Sequence, residues 1–146
     1  MSSIVQGLTT SFKAQSFEGV QNLLTDSLKI ALYTATSDIG PATTAYTATD
    51  EVVGTGYTAG GNTLVISTSP TSGNSTASIP TAFVGFSNTS WASSTITARG
   101  ALIYNSTQGN KSVAVLDFGA DKTTTNATFL ITFPTADASS AIVRIS

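Results

Sequence analysis

Small hydroxyl side chains dominate this chain. Its 20 Ser and 26 Thr fill 46 of 146 positions, whereas charged residues make up only 10% of a sequence type that usually carries about 25%. Threonine is β-branched, so it loses side-chain freedom in a helix and packs well on a pleated sheet. The composition therefore predicts a fold built mainly of strands. A chain of this length is expected to form one domain with its own hydrophobic core.

After Asp26 the sequence breaks into short β-rich runs separated by turn residues, a pattern typical of sandwiches and barrels. Around Phe129, apolar and polar residues alternate, which predicts one face packed inward. Gly100 interrupts another run and predicts a bulge or bend. The fold class expected is all-β, an antiparallel β-sandwich with a jelly roll among its variants. The predicted strands are 28–34, 62–67, 82–86, 95–104, 112–118, 127–133 and 141–145, with a polar loop at 68–80.

The first part of the chain has helical rather than strand periodicity. This predicts an N-terminal helical arm, residues 1–26, whose short amphipathic helix ends near Asn22, followed by a β-sandwich domain, residues 27–146. The helix start has several candidate caps. They are Thr9, Thr10 and Ser11, with a capping box formed by Ser3 and Gln6 as the alternative.

The apolar stripe of the arm must be buried somewhere, either on the sandwich itself or against other molecules. We expect much of the stripe to pack in the second way. The predicted assembly interface is Phe12, Phe17, Val20 and Leu23.

The chain has no histidine and no cysteine. It therefore lacks the usual general base, the usual thiol nucleophile and most ligands for transition metals. Since histidine is the side chain whose ordinary pKa lies between about 5 and 8, we also expect no pH switch in that window. The sequence predicts a protein that is not an enzyme.

Two short motifs look like nucleotide sites but lack the necessary context. In "GTGYTAGG", residues 54–61, the glycines precede the predicted strand "NTLVISTS" and not the helix that a dinucleotide fingerprint requires. They are better explained as positive-φ positions in a turn, with Tyr57 packed over them. "DFG" at 117–119 lacks the catalytic-loop histidine of protein kinases. We predict no cofactor.

Carboxylates are too sparse to build a convincing metal site. Asp50 and Glu51 lie in a Thr-rich segment and are expected to be solvated. A calcium site at Asp117, Asp121 and Asn126 would need several more oxygen ligands. We therefore predict no metal.

The charge and hydropathy patterns exclude further classes of partner. The net charge is −2 and the six basic residues are scattered, so there is no basic patch for nucleic acid. No apolar run approaches the 18 residues or so that a membrane span requires. The start "MSSIVQGLTTSFKAQ" lacks the charged and apolar regions of a secretion signal. We expect neither nucleic acid nor membrane as a partner.

Several ordered segments resemble a family of small virion structural proteins of tailed bacteriophages. They are "FEGVQNLLTDSLKIALYTAT", "TTAYTATDEVVGTGYTAGGNTL", "ITARGALIYN", "VAVLDFGADK" and "FPTAD", and together they extend the resemblance roughly from Phe12 to Ile145. The members that share this pattern are similar to capsid decoration, or cement, proteins. The resemblance implies a location on the outer surface of the head and supplies no catalytic motif.

On this basis we expect a decoration protein, made in the bacterial host cytoplasm, that binds the major capsid protein as a small cyclic homo-oligomer, in the first instance a trimer. A neck or tail component of the same virion is the nearest alternative. A second alternative is a carbohydrate-binding or host-recognition module, in which Trp91, Tyr57 and Tyr104 would serve as stacking platforms for sugar rings.

Overall fold

The computed structural model describes residues 3–146 and confirms an all-β fold with one short helix. The strands form two antiparallel sheets, a five-stranded sheet in the order β1-β7-β6-β2-β3 and a three-stranded sheet in the order β4-β5-β8. The elements are β1 (Gly7–Leu8), α1 (Thr10–Phe17), β2 (Leu28–Tyr33), β3 (Asn62–Thr63), β4 (Ile66–Asn74), β5 (Pro80–Phe86), β6 (Thr89–Asn105), β7 (Lys111–Ile131) and β8 (Val143–Ile145). No helix within residues 3–146 is long and apolar enough to cross a membrane.

The middle of the five-stranded sheet is apolar on both faces. In β2, Leu28, Ile30 and Leu32 belong to the main core, which also contains residues of β5 and β8. The intervening Ala31 and Tyr33 belong to a second cluster. Because successive side chains of a strand point to opposite faces, the sheet requires a cover on each side.

The two faces have different covers. The three-stranded sheet and Phe12 of α1 pack on the main core. The second face is covered by Ile4, Ile39 and Tyr46, which lie outside the strands of the sheet. Residues near the N-terminus thus contribute to the packing of both faces.

The N-terminal helix is shorter than the sequence predicts. Thr9 is its N-cap, since the Thr9 hydroxyl accepts from the Phe12 N–H, and α1 ends at Phe17 and not near Asn22. Glu18 is the C-cap, and Gly19 follows with a φ of +70°. Glycine adopts this left-handed conformation without the steric cost that a side chain would bring, so it ends the helix.

The segment before the helix is integrated into the sheet. Gly7 and Leu8 pair with Val115 and Ala114 of β7, and the Val5 N–H donates to the carbonyl oxygen of Ile39. Backbone hydrogen bonds therefore fix the N-terminal residues before α1 begins.

The four predicted interface residues fall in different environments. Phe12 is 3% exposed and belongs to the main core, and Leu23 packs against that core while partly exposed. Val20 is half-buried, whereas Phe17 is 92% exposed. The structure corrects the inclusion of Phe12 in this interface, because Phe12 is already buried within its own chain. An interface role for the other three stays a prediction.

The polar segment 68–80 is a hairpin and not the predicted loop. β4 continues to Asn74, which pairs with Pro80 at the start of β5. Pro70 lies where the register shifts between Thr68 and Thr71, a position that tolerates a residue without an N–H. The hydroxyl-rich composition of this segment predicts a loop, but its threonines are good strand formers.

Several other strand boundaries also differ from the prediction. The predicted strands 112–118 and 127–133 are parts of one strand, β7, while the predicted strand 62–67 is divided between β3 and β4. The expected interruption near Gly100 is confirmed by a register shift between Ala98 and Gly100. The four β7 residues opposite this point, 118–121, form a bulge.

The two phenylalanines of α1 form a matched pair for testing this packing. Phe12→Ala should lower the free energy of unfolding by about 3–5 kcal/mol, because it leaves a cavity in the main core. Phe17→Ala should change it by no more than about 0.5 kcal/mol, because that ring is solvated. Urea denaturation of both variants gives the comparison, and equal losses would contradict the packing of α1 described here.

Candidate functional site

A groove lies between the N-terminal segment and the three-stranded sheet. Its volume is about 690 Å³. Apolar side chains from both sides line it, among them Phe12, Leu23, Phe83, Val84 and Val143. Two of the four predicted interface residues, Phe12 and Leu23, therefore lie in the wall of one groove.

Exposed apolar side chains cluster around this groove. Leu24 and Ile145 line it and are 62% and 48% exposed. Phe17 stands between Ser16 and Gly19, which are both lining residues. Single exposed apolar residues are ordinary on protein surfaces, whereas several around one groove make that groove a candidate interaction site.

Buried hydrogen bonds hold the N-terminal wall of the groove in place. The Gln21 amide nitrogen donates to Gln15 Oε1 at 2.8 Å and to the Ser112 carbonyl oxygen at 3.0 Å. Asn105 Nδ2 donates to Gln21 Oε1 at 3.2 Å and to Asp26 Oδ2 at 2.8 Å. These contacts connect residues 15–26 to the β6–β7 hairpin and so anchor the wall to the five-stranded sheet.

Asp26 contributes to this frame as an ionised carboxylate. Partial burial acts to raise its pKa, but hydrogen bonds from the Asn22 N–H, Asn105 and Gln108 outweigh burial and lower it. A carboxyl group whose pKa is lower in the folded state stabilises the fold above its unfolded-state pKa. This stabilisation is lost as the pH falls through the folded-state pKa.

The start of α1 is fixed by a second buried network. Ser112 Oγ is completely buried and lies 2.9 Å from Thr9 Oγ1 and 2.6 Å from the carbonyl oxygen of Thr43. Thr9 Oγ1 also donates to the carbonyl oxygen of Val113. The N-cap residue of the helix is thus bonded directly to β7, next to the β1 pairing.

A smaller groove of about 410 Å³ lies along the outer part of β7, beyond the pairing with β1. Phe118, Phe129 and Leu130 line it together with several threonines. Leu130 is exposed here, whereas its neighbours Phe129 and Ile131 are buried. This confirms the alternation that the sequence predicts.

Glu51 is the centre of a polar cluster that the sequence did not predict. The sequence predicts that Glu51 is solvated, but its side chain is buried, with only 7% of its surface exposed. Its Oε1 accepts from the Tyr57 hydroxyl and from the Gly60 N–H, both at 2.7 Å, while its Oε2 accepts from the Tyr46 hydroxyl at 2.6 Å. Charge-assisted bonds of this length are among the strongest in proteins. Glu51 therefore links Tyr46 to Tyr57 and Gly60 within the segment that follows β2.

The chain's four tyrosines all belong to this region. The Tyr104 hydroxyl donates to the Gly60 carbonyl oxygen at 2.7 Å, and the Tyr33 hydroxyl donates to that of Thr47. Burial, and with it the negative charge of Glu51, raises the pKa of each tyrosine above its ordinary value. The signal available in the sequence was "YTATDEVVGTGY", a carboxylate with tyrosines five and six residues away on either side.

The glycines of "GTGYTAGG" form a turn, as predicted. Gly56, Gly60 and Gly61 have φ between +70° and +89°. A side chain at Gly61 would bring its Cβ to 1.8 Å from the Ile30 carbonyl oxygen, so only glycine fits there. The turn carries the Gly60 N–H to Glu51 and leads into β3, which is a strand and not the helix of a nucleotide site.

The acidic residues of the hypothetical calcium site are held by an arginine. Arg99 Nε lies 3.4 Å from Asp117 Oδ1, and its Nη1 lies 3.9 Å from Asp121 Oδ1. Asn126 instead donates its backbone N–H to Thr95 Oγ1. The guanidinium stands where a cation would have to bind, and it closes the 118–121 bulge. Residues 3–146 contain no group of three or more Asp, Glu, His or Cys that could hold a metal ion.

The aromatic residues suggested as sugar platforms belong to the interior. Trp91 is 4% exposed and Tyr104 is 2% exposed. Tyr57 packs against Trp91 with ring centroids 5.7 Å apart, and its hydroxyl is bonded to Glu51. A stacking platform requires an open ring face, so the structure contradicts this arrangement of a glycan site.

Searches of protein-family models, curated proteins and solved structures each find no match to this chain.

The Glu51 cluster predicts a large effect of a small substitution. Glu51→Gln keeps the shape, but it removes the charge and turns an amide N–H toward either Tyr46 or the Tyr57 and Gly60 donors. We expect a loss of about 1–3 kcal/mol in the free energy of unfolding. Asp50→Asn, at the exposed neighbouring position, is the control. A loss no larger for Glu51→Gln than for Asp50→Asn would show that the carboxylate does not hold this segment.

The tyrosines predict a loss of stability at alkaline pH. A tyrosine whose pKa is raised by folding stabilises the fold below its unfolded-state pKa, about 10, and ceases to do so as the pH rises further. Absorbance at 295 nm should therefore show little tyrosinate in the folded protein near pH 10.5, and ionisation should coincide with unfolding. Titration of two or more tyrosines near pH 10 in folded protein would contradict this.

Proposed function

We propose that this protein is a structural component of a tailed-phage virion, a decoration protein bound to the outer surface of the head as a small cyclic oligomer, most simply a trimer. The observation that supports this function best is the group of exposed apolar side chains around the 690 Å³ groove, whose N-terminal wall is hydrogen-bonded to the sheet. The sequence resemblance supplies the kind of particle, and the groove supplies a surface for attachment.

The chemistry of the groove suits adhesion between proteins. Its lining combines apolar side chains with hydroxyl and amide groups, and Arg144 is its one charged residue. Elsewhere, Glu51 and Asp26 are engaged in hydrogen bonds that hold the fold together. An apolar centre with a polar rim is the usual composition of a protein interface.

The proposed mechanism is avidity. A single groove of this size makes a modest contact, but linked copies that bind neighbouring capsid subunits convert each later contact into an intramolecular event. Dissociation then requires several contacts to break together. The partner is the major capsid protein, and the bound oligomer would stabilise the lattice against the pressure of packaged DNA.

The number of copies in a particle separates this function from that of a neck or tail component. A head protein should be present in amounts comparable with the major capsid protein, whereas a neck or tail ring has about a dozen copies or fewer, as its symmetry dictates. A stoichiometric gel of intact virions measures the ratio.

Attachment is predicted to depend on the larger groove. Leu24→Asp places a charge in its lining and should weaken binding to undecorated heads at least tenfold without unfolding the protein, since Leu24 is already exposed. Leu130→Asp, on the smaller groove, is the matched control and should bind normally. Co-sedimentation with heads gives both values. Normal binding of Leu24→Asp, or a selective loss in Leu130→Asp, would contradict the proposal.

A further inference from the structure

Few side chains of this protein are easily oxidised. The chain has no cysteine, and its single methionine is Met1, so the sulfur groups that usually absorb oxidation are missing from the rest of the sequence. Tryptophan and tyrosine are the next most easily oxidised side chains. Trp91 is the only tryptophan, and it is buried in the main core, so its oxidation would place a polar product there.

Tyr57 is placed to return an electron to an oxidised Trp91. The two rings pack with their centroids 5.7 Å apart and an interplanar angle of 38°, which is the ordinary separation of aromatic rings in contact. The ring of Phe129 also packs against Trp91, with centroids 6.1 Å apart, but phenylalanine is much harder to oxidise than tyrosine. Trp91 therefore recovers an electron most readily from Tyr57.

Glu51 is placed to accept the proton that an oxidised tyrosine must lose. Burial and the hydrogen bond to Glu51 raise the pKa of Tyr57, so the phenol is protonated in the folded protein at neutral pH. Removal of an electron makes a phenol a strong acid, and its proton leaves readily only where a base lies within hydrogen-bond reach. Glu51 Oε1 accepts from the Tyr57 hydroxyl at 2.7 Å, so the electron and the proton can leave Tyr57 together.

Tyr46 is a second tyrosine bonded to the same carboxylate. Its hydroxyl donates to Glu51 Oε2 at 2.6 Å, so one carboxylate separates it from the Tyr57 hydroxyl. Tyr46 is partly exposed and packs with the second cluster, whereas Tyr57 packs against the main core. Tyr104 stacks on Tyr46 with centroids 4.8 Å apart, but its hydroxyl donates to the Gly60 carbonyl oxygen, which is a much weaker base than a carboxylate. A radical is therefore better accommodated on Tyr46 than on Tyr104.

We propose that Trp91, Tyr57, Glu51 and Tyr46 form a relay that moves a one-electron oxidation out of the main core. Trp91 gives an electron to a one-electron oxidant and recovers it from Tyr57, while the Tyr57 hydroxyl proton passes to Glu51 Oε1. Tyr46 then gives an electron to the Tyr57 radical and a proton to Oε2, as Oε1 returns a proton to Tyr57. The radical ends on Tyr46, where a soluble thiol can donate a hydrogen atom, and Glu51 releases its added proton to water. The relay goes beyond the proposed function and does not depend on it.

Pulse radiolysis tests the first transfer in the full-length protein. The azide radical takes electrons from tryptophan in preference to tyrosine at neutral pH, so it starts the relay at Trp91. In the wild type, the absorbance of the tryptophan radical should decay as that of a tyrosine radical rises, at a rate independent of protein concentration. Tyr57→Phe and Glu51→Gln should each slow this transfer about tenfold or more, because they remove the electron donor and the proton acceptor. Tyr33→Phe is the matched control and should transfer at the wild-type rate, since the Tyr33 hydroxyl is bonded to the Thr47 carbonyl oxygen and not to Glu51.

Two further measurements separate the relay from effects on folding. Circular dichroism establishes that each variant is folded, and heavy water should slow the transfer in the wild type itself, because a proton moves with the electron. Peptide mapping by mass spectrometry, after reaction with a nitroso spin trap, locates the radical. The adduct should form on Tyr46 in the wild type and on Tyr57 in Tyr46→Phe.

A tryptophan radical that lives as long in the wild type as in Tyr57→Phe would overturn the relay. A transfer rate that neither Glu51→Gln nor heavy water changes would also overturn it, because Glu51 would then not accept the proton. Trapping mainly on Tyr33 or Tyr104 would contradict the proposed end point.

Discussion

The structure depends on a sheet that is apolar on both faces. Residues 28–33 of β2, 100–105 of β6 and 112–116 of β7 are buried almost without interruption, so neither face of this middle section can remain in water. Burial of large apolar side chains stabilises by roughly 1.5–3 kcal/mol each. The second sheet and α1 satisfy this requirement on one side, and the irregular segment 34–61 with Ile4 satisfies it on the other.

The irregular structure of segment 34–61 explains why a buried carboxylate, Glu51, lies within it. A segment without ladder hydrogen bonds must satisfy its polar groups by other means, and Glu51 does so by accepting from two tyrosines and a backbone N–H. Among the described residues, no buried side-chain nitrogen or oxygen lacks a partner. The same principle applies at the N-terminus, where Gln21, Asn105 and Asp26 hold the wall of the larger groove.

The sequence was most informative where local pattern decides structure. Hydroxyl-rich composition and alternation around Phe129 predicted the all-β class, and the glycines before β3 were correctly assigned to a turn. It was less informative where tertiary contacts decide. Phe12 and Phe17 lie five residues apart, about 140° on a helical projection, and the packing that follows the pairing of β1 with β7 decides that Phe12 is the one that faces the core. Glu51 looked solvated because its partners lie up to nine residues away, a distance at which periodicity carries no information.

The central claim is that the protein attaches through the face that carries the larger groove. Amide hydrogen exchange, compared between the free protein and the protein on intact particles, tests it most directly, because opening rates report which backbone segments become covered. We expect slower exchange on particles in residues 17–24, 70–72 and 143–145, with little change along the outer part of β7. Protection confined to residues 119–131, with the groove segments exchanging as in the free protein, would contradict the account.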